Sequence, residues 1–426
     1  MQLIQFPHKK DWQGLLLRPT MDLSTIETQV RPILEAVRNT GDEAVRQFSE
    51  QFDKVKLSSW LVSEEEIDEA NQQVSDELKE SIGVAKSNIE KFHQLQLEIF
   101  PKVETINGVS CWRKSVPIQK VGLYIPGGTA PLFSTVLMLG VPAQLAGCPE
   151  IILCTPPNKE GKVHPAILYT ANLVGIKRIF KIGGAQAIAA MTFGTQTIPA
   201  VYKIFGPGNQ YVTAAKQLAV KEGIAIDMPA GPSEVAVLAD ETANPVFVAA
   251  DLLSQAEHGA DSQVLLVSNK LEIIQKTQEE VQKQLTFLPR KELAAQALKN
   301  SKAILVKDLN EGLEMMNEYA PEHLILAVRE PEKWAEKVSN AGSVFLGHLT
   351  PESAGDYASG TNHTLPTNGY AKNYSGVSLD SFFKKITFQH ISPEGLKNLG
   401  KHIERMAAAE ELDAHKMAVT YRLKTL

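Results

Sequence analysis

The stretch "VGLYIPGGTAPLFSTVLMLGVPAQLAGCPEIILCTP", residues 121–156, decides the fold. From 121 to 149 it contains no charged residue. A membrane span needs about 20 unbroken apolar residues, and Pro126, Gly127, Gly128, Pro131 and Pro142 interrupt this run. Strand, glycine turn, buried helix and second strand fit it better. A strand apolar on both faces, then a helix, then another such strand, is the unit of a parallel sheet covered on both sides.

The pattern recurs along the chain. Nine short apolar runs, many separated by helix-length segments, are "KVGLYI" (120–125), "EIILCTP" (150–156), "KRIFKIGG" (177–184), "AVYKIFG" (200–206), "SEVAVLA" (233–239), "QVLLVS" (263–268), "KAILVK" (302–307), "HLILAV" (323–328) and "GSVFLG" (342–347). Nine strands exceed one small sheet. The expected class is therefore α/β: two Rossmann-like lobes with parallel sheets, a helical N-terminal segment and a helical C-terminal tail. The turn-rich "DMPAGPSE" (227–234) places a boundary near 230–240. The expected division is residues 1–25 as an N-terminal segment, 26–122 with 234–378 as one lobe, 123–233 as a second, cofactor-binding lobe, and 379–426 as a tail. In the first hundred residues, "STIE" (Ser24–Glu27) and "SEEE" (Ser63–Glu66) have capping-box spacing. After about 393 the strand pattern stops and the sequence reads as helix. In parallel sheets of this kind, sites are expected where the loops converge at the carboxyl ends of strands.

Composition narrows the function. With 426 residues, 43% hydrophobic and 22% charged, the chain has the make-up of a packed protein. A net charge of −6 without a Lys/Arg stripe argues against nucleic acid. Cys111, Cys148 and Cys154 are odd in number and form no C-x-x-C pair, so no disulfide framework is expected and a reducing cytoplasm is the simplest home. The opening "MQLIQFPHKKDW" lacks the apolar core of a signal peptide.

Four segments carry candidate chemistry. In "NPVFVAADLLSQAEHGADSQ" (244–263), Asp251, Ser254, Gln255 and His258 fall on one helix face at i, i+3, i+4 and i+7. Gly259 suits the C′ position, so the stripe ends at the negative pole of the helix, where a cation is favoured. A solvent stripe ending in a histidine is the alternative. In "YAPEHLILAV" (319–328), Glu322 and His323 precede an apolar strand. Strand neighbours point to opposite faces, so both serve one site only if the backbone is irregular there; Pro321 favours that irregularity. Otherwise they are a strand-start glutamate and a capping histidine. "TPESAGDYASGTNHTLPTNGYA" (350–371) is long, polar and glycine-containing, and holds Asp356 and His363. "LDAHKMAV" (412–419) places His415 near Glu410 and Asp413 on what is otherwise an ordinary solvated helix. Gln255, His258, Asp356 and His415 together make an N/O set suited to a borderline divalent metal such as zinc. "YIPGG" (124–128), "KIGGAQAIAA" (181–190) and "GPGNQY" (206–211) place glycines between strand and helix, where backbone N–H groups suit phosphate, although the G-x-G-x-x-G fingerprint is incomplete.

The segments "SQAEHGADSQV", "YAPEHL", "AGDYASGTNHTLPT", "DAHKMAV", "VGLYIPGG", "GGAQAIAA", "GPGN" and "PAGPSE" together resemble the histidinol dehydrogenase family, in that family's order and over nearly the whole chain. The resemblance implies an NAD-dependent homodimer with one zinc per subunit. It implies oxidation of L-histidinol to L-histidine by two hydride transfers through histidinal. By motif match, Gln255, His258, Asp356 and His415 would bind zinc. Ser233, His323, His363 and Glu410 would join those four around the substrate, and Tyr124, Gln186 and Asn209 would meet the cofactor. The resemblance further implies that His415 comes from the other subunit. The chemistry suits the residue types: His323 as general base for the hydroxyl proton, Glu322 activating water for the second oxidation, and zinc holding the substrate's imidazole and amine. One departure is Asn368, where family members often have a small residue. A zinc hydrolase using Glu322 as base, and a non-catalytic binding protein of the same fold, are the rival readings.

Overall fold

The computed structural model describes residues 1–19, 23–127, 130–229 and 231–426. Gly128 of "YIPGG", Ala230 of "PAGPSE" and the side chain of Ser24 lie outside the described residues. The strands run in chain order as β1 (Gln2–Gln5), β2 (Val103–Ile106), β3 (Val109–Pro117), β4 (Lys120–Tyr124), β5 (Glu150–Thr155), β6 (Arg178–Lys181), β7 (Lys203–Phe205), β8 (Ala225–Ile226), β9 (Glu234–Ala239), β10 (Gln263–Ser268), β11 (Lys302–Leu305), β12 (His323–Ala327), β13 (Ser343–Leu346) and β14 (Phe383–Ile391). All nine apolar runs became strands of two parallel sheets. One is five-stranded, β6-β5-β4-β7-β8, and the other six-stranded, β1-β11-β10-β9-β12-β13.

A third sheet, β14-β3-β2, is antiparallel. Continuous apolar runs do not reveal it, because an antiparallel strand with one wet face mixes charged and apolar residues. β14 is "FKKITFQHI" and most of it is exposed. β1 is also absent from the apolar runs, since its four residues "QLIQ" form a short edge strand beside β11.

The opening stretch folds as read: β4, a helix at Phe133–Leu145, then β5 parallel to β4. Val136, Leu137, Met138, Leu139 and Val141 on that helix are all but inaccessible. Each such side chain contributes roughly 1.5–3 kcal/mol through burial. The first capping box lies partly outside the described side chains, whereas the second is complete: Glu66 N–H donates to Ser63 Oγ at 3.2 Å and Ser63 N–H to Glu66 Oε2 at 3.0 Å. Packing groups the chain differently from the expected division in one respect. Residues 26–94 were expected to share a lobe with 234–378. Instead Ile82 and Ile89 join the core on one face of the five-stranded sheet, and Val30 and Val37 the core on its other face. Among the described residues no helix is long and apolar enough to cross a membrane. All three cysteines are free.

Gly206, just after β7, has φ +127, and a Cβ there would collide with the carbonyl oxygen of Tyr124. Gly223 also has positive φ (+89) but faces open space. Gly206→Ala is therefore expected to cost about 2–4 kcal/mol in urea unfolding and Gly223→Ala only about 1 kcal/mol.

Candidate active site

The chain enters β12 through an irregular turn. Ala320 sits at φ +52, Pro321 follows, and the strand begins at His323. This lets adjacent residues serve one site. Glu322 and His323 are 6% and 3% exposed, and Glu322 Oε2 stands 3.6 Å from His323 Nδ1. Both are held by the backbone of one residue. Glu234 N–H donates to Glu322 Oε2 at 2.9 Å, and Glu234 O lies 3.1 Å from His323 Nδ1. Gln255 Nε2 approaches the same nitrogen at 2.9 Å. His323 Nε2 faces Asp356 Oδ1 at 3.5 Å.

The site does not lie where the carboxyl-end rule places it. Glu234, Gln263 and His323 are the first residues of β9, β10 and β12, at the amino edge of the six-stranded sheet. The connection after β9 explains this. The helix Pro245–Ala256 runs back along the sheet, so its C-terminus returns Gln255 to that edge. The helix ends at Ala256, two residues earlier than the i, i+7 spacing requires. His258 therefore sits in the following turn, its N–H donating to Gln255 O at 3.2 Å, and Gly259 does not adopt the left-handed conformation expected of a C′ glycine.

Asp356 comes from a short helix, Glu352–Tyr357. One turn earlier on the same face is Glu352, 1% exposed, which the sequence reading missed. Its i, i+4 spacing to Asp356 was the available signal. Ligand atoms of His323, Glu352 and Asp356 lie within 4.8 Å of one another. His363 Nδ1 is 2.9 Å from Asp356 O, and its Nε2 is 3.1 Å from Thr135 Oγ1. Ser233 and His258 line a cavity of about 490 Å³ with Asn209 and Tyr211. Glu410 and His415 are exposed in the single chain. They belong to a C-terminal pair of helices, Pro393–Ala409 and Asp413–Leu423, that pack on each other, and neither residue lines that cavity.

Burial and charge oppose each other throughout the cluster. Burial raises the Glu322 carboxyl, more than His323 and the Glu234 N–H lower it. Burial depresses the His323 imidazolium, yet Glu322, Glu352 and Asp356 outweigh it and raise its pKa. Asp356 is held low by His323, His363 and His258 despite its own burial. His258 and His363 are both lowered, chiefly by burial. Gln255 Oε1, His323 Nε2 and Glu352 Oε2 are buried with no hydrogen-bond partner. Such orphaned atoms cost free energy, and a polar ligand or cation bound beside them would offset that cost. Nitrogen and oxygen donors of this kind fit zinc. Three of the four expected ligands, Gln255, His258 and Asp356, border this cluster; His415 does not.

A second cavity, about 560 Å³, opens at the carboxyl edge of the five-stranded sheet and is lined by Tyr124, Gln186, Asn209, Asp53 and Gly184. Gly184 N–H donates to Tyr124 Oη at 3.0 Å at the start of the helix Gly184–Phe193. Asn209 caps the helix Gln210–Lys221 through its side chain. Asn209 and Tyr211 line both cavities, so the two adjoin. Gln186 Nε2 donates to Asp53 Oδ2 at 3.3 Å. Burial raises the Asp53 carboxyl to about 6, against the lowering effect of Gln186.

The family model for histidinol dehydrogenase matches residues 16–423. The chain is 63% identical over 426 residues to histidinol dehydrogenase of Bacteroides thetaiotaomicron, covering all of both proteins. It is 53% identical over 419 residues to the chloroplastic histidinol dehydrogenase of Arabidopsis thaliana, covering 97% of this chain and 89% of that one. The crystal structure of histidinol dehydrogenase from Elizabethkingia anophelis superposes with a TM-score of 0.97 at 59% identity, covering 100% and 98% of the two chains. The protein is thus an oxidoreductase of the NAD-dependent dehydrogenase class. It belongs to the histidinol dehydrogenase family.

Asp53 gives a stability test. A carboxyl raised in the folded state favours folding only while it is protonated, so stability falls as pH rises from about 4 to about 6 and then levels off. Asp53→Asn keeps the Gln186 bond and removes the cost. It should stabilise the protein by about 1–2 kcal/mol above pH 6.5, allowing for solvent screening, and the gain should shrink towards pH 5 in thermal unfolding.

Proposed function

We propose that the protein oxidises L-histidinol to L-histidine by two successive hydride transfers to NAD, through histidinal, as the last step of histidine biosynthesis. The observation that carries this reading is the junction of the two cavities. The wall of one includes Ser233, next in chain to the Glu234 that holds a buried glutamate–histidine pair, and the other has helix N-termini and glycine turns suited to a dinucleotide. The reaction needs both side by side.

In the first oxidation the alcohol carbon gives a hydride to NAD and the hydroxyl proton passes to neutral His323, a form that a cation bound nearby would favour against the carboxylates that raise its pKa. His323 then returns that proton to solvent. In the second, Glu322 activates the water that hydrates the aldehyde; the hydrate loses a second hydride, and His323 takes a second proton. Two NADH form per histidine. Gln255, His258 and Asp356, with His415 of a second subunit, would hold one zinc per subunit, which would supply a grip on the substrate's imidazole and amine. Ser233, His363 and Glu410 complete the substrate contacts, and residues 123–233, with Tyr124, Gln186 and Asn209, form the cofactor lobe. Positioning by these groups places the carbinol carbon between His323 and the cofactor.

The tail supports a homodimer in which residues 379–426 are exchanged. Met406, Leu412, Tyr421 and Leu426 are exposed apolar side chains in the single chain, and burial of such surface favours contact with a second subunit. The proposed setting is the cytoplasm, with no nucleic acid or membrane as partner.

Mixing protein, histidinol and NAD should give two equivalents of reduced nicotinamide by absorbance; none, with or without added zinc, would sink the reading. His258→Asn should lose zinc and activity together, measured by metal analysis beside the assay. Glu322→Gln should slow histidinal oxidation about a hundredfold while slowing histidinol oxidation much less, which separate assays of the two half-reactions resolve.

A further inference from the structure

Arg18 lies far in sequence from the residues of the site, yet among the described residues its polar contacts reach the support of the acid–base pair. Its Nε donates to Glu234 Oε1 at 2.5 Å and one Nη to Glu234 Oε2 at 2.8 Å. The same Nη meets Tyr319 O at 2.7 Å and Ala320 O at 3.3 Å. Its guanidinium lies 3.9 Å from the centre of the Tyr319 ring. Tyr319 is pinned in turn, its Oη donating to Gln263 Oε1 at 2.8 Å, and Gln263 Nε2 donates to Leu17 O at 3.2 Å, beside Arg18.

These contacts converge on two things. One is Glu234, whose peptide N–H holds Glu322 and whose carbonyl faces His323 and Gln255. The other is the turn before β12, where Ala320 is held at φ +52. A non-glycine residue costs roughly 1–2 kcal/mol in that conformation, so something must hold it there. The pair itself is weak as a stabilising device, because a buried ion pair rarely gains more than its desolvation costs; Arg18 and Glu234 side chains are 14% and 2% exposed. Its geometry is what distinguishes it. A planar fork bonds one carboxylate twice and two successive carbonyls at once, which a lysine ammonium cannot copy.

We infer that Arg18 is a positioning residue for the reaction: it sets the aim of Glu322 and His323 by fixing both the Glu234 peptide and the Tyr319–Ala320 turn. This rests on the reading of Glu322 and His323 as the acid–base pair. Arg18→Lys, which keeps charge and most packing, should lower kcat about tenfold, with KM for histidinol and NAD within threefold and zinc content unchanged. Arg18→Ala should lose about a hundredfold, and millimolar guanidinium should restore part of it. If Arg18→Ala does not fold, Arg18→Lys decides alone. A kcat for Arg18→Lys within twofold of the parent overturns the inference, and so does a loss that tracks falling zinc content or folded fraction. His323→Asn separates the two readings. If it keeps kcat, the acid–base assignment fails; if it loses kcat while Arg18→Lys keeps it, only the role of Arg18 fails.

Discussion

The peptide and side chain of Glu234 are the constraint around which this site is built. At the first residue of β9, its N–H donates to Glu322 and its carbonyl faces His323 and Gln255, while its carboxylate accepts from Arg18 and from the Asn368 N–H at 2.7 Å. Four segments remote in sequence meet on one residue. A backbone donor and acceptor at the end of a hydrogen-bonded strand cannot drift, because β9 is paired on both sides by β10 and β12. The precision of the site comes from the sheet.

From that anchor the placement of everything else follows. The helix after β9 runs antiparallel to it and brings its negative pole back to the amino edge, which favours positive charge among Gln255, His258 and Asp356. The five-stranded sheet turns its carboxyl edge to the same cleft, and its helix N-termini favour the opposite sign. One cleft thus offers a cation-favouring wall and an anion-favouring wall. Beside it, Glu322, Glu352 and His323 are buried with Asp356 half-buried against them, at an electrostatic cost that a bound ligand or ion would reduce.

Much of this was legible in the residues. Unbroken Val, Ile and Leu runs gave the parallel strands, since burial on both faces leaves no room for polar alternation. Gln255 stood out on an apolar helix, Glu322 and His323 at the head of an apolar strand, and Asp356 with His363 in a long glycine-containing loop. Glu352 did not, because one more glutamate in a polar loop carries no mark until the loop folds inward. The antiparallel sheet was hidden for a similar reason: β3 and β14 carry charges on a wet face and read as ordinary surface.

The sequence by itself determined the local choices: which runs are strands, where Ser63 and Glu66 cap a helix, and which glycines open the strand-to-helix turns. Those are set by side-chain size, branching and hydrogen bonding within a few residues. Only the tertiary structure decided that the Glu322–His323 pair gathers its partners at the amino edge of the six-stranded sheet, that residues 26–94 cover the other sheet, and that Arg18 reaches Glu234 across 216 positions of chain. Such contacts depend on which strands pair and which way each helix returns. Pairing is settled by the burial of the whole core at once, and no window of sequence contains that sum.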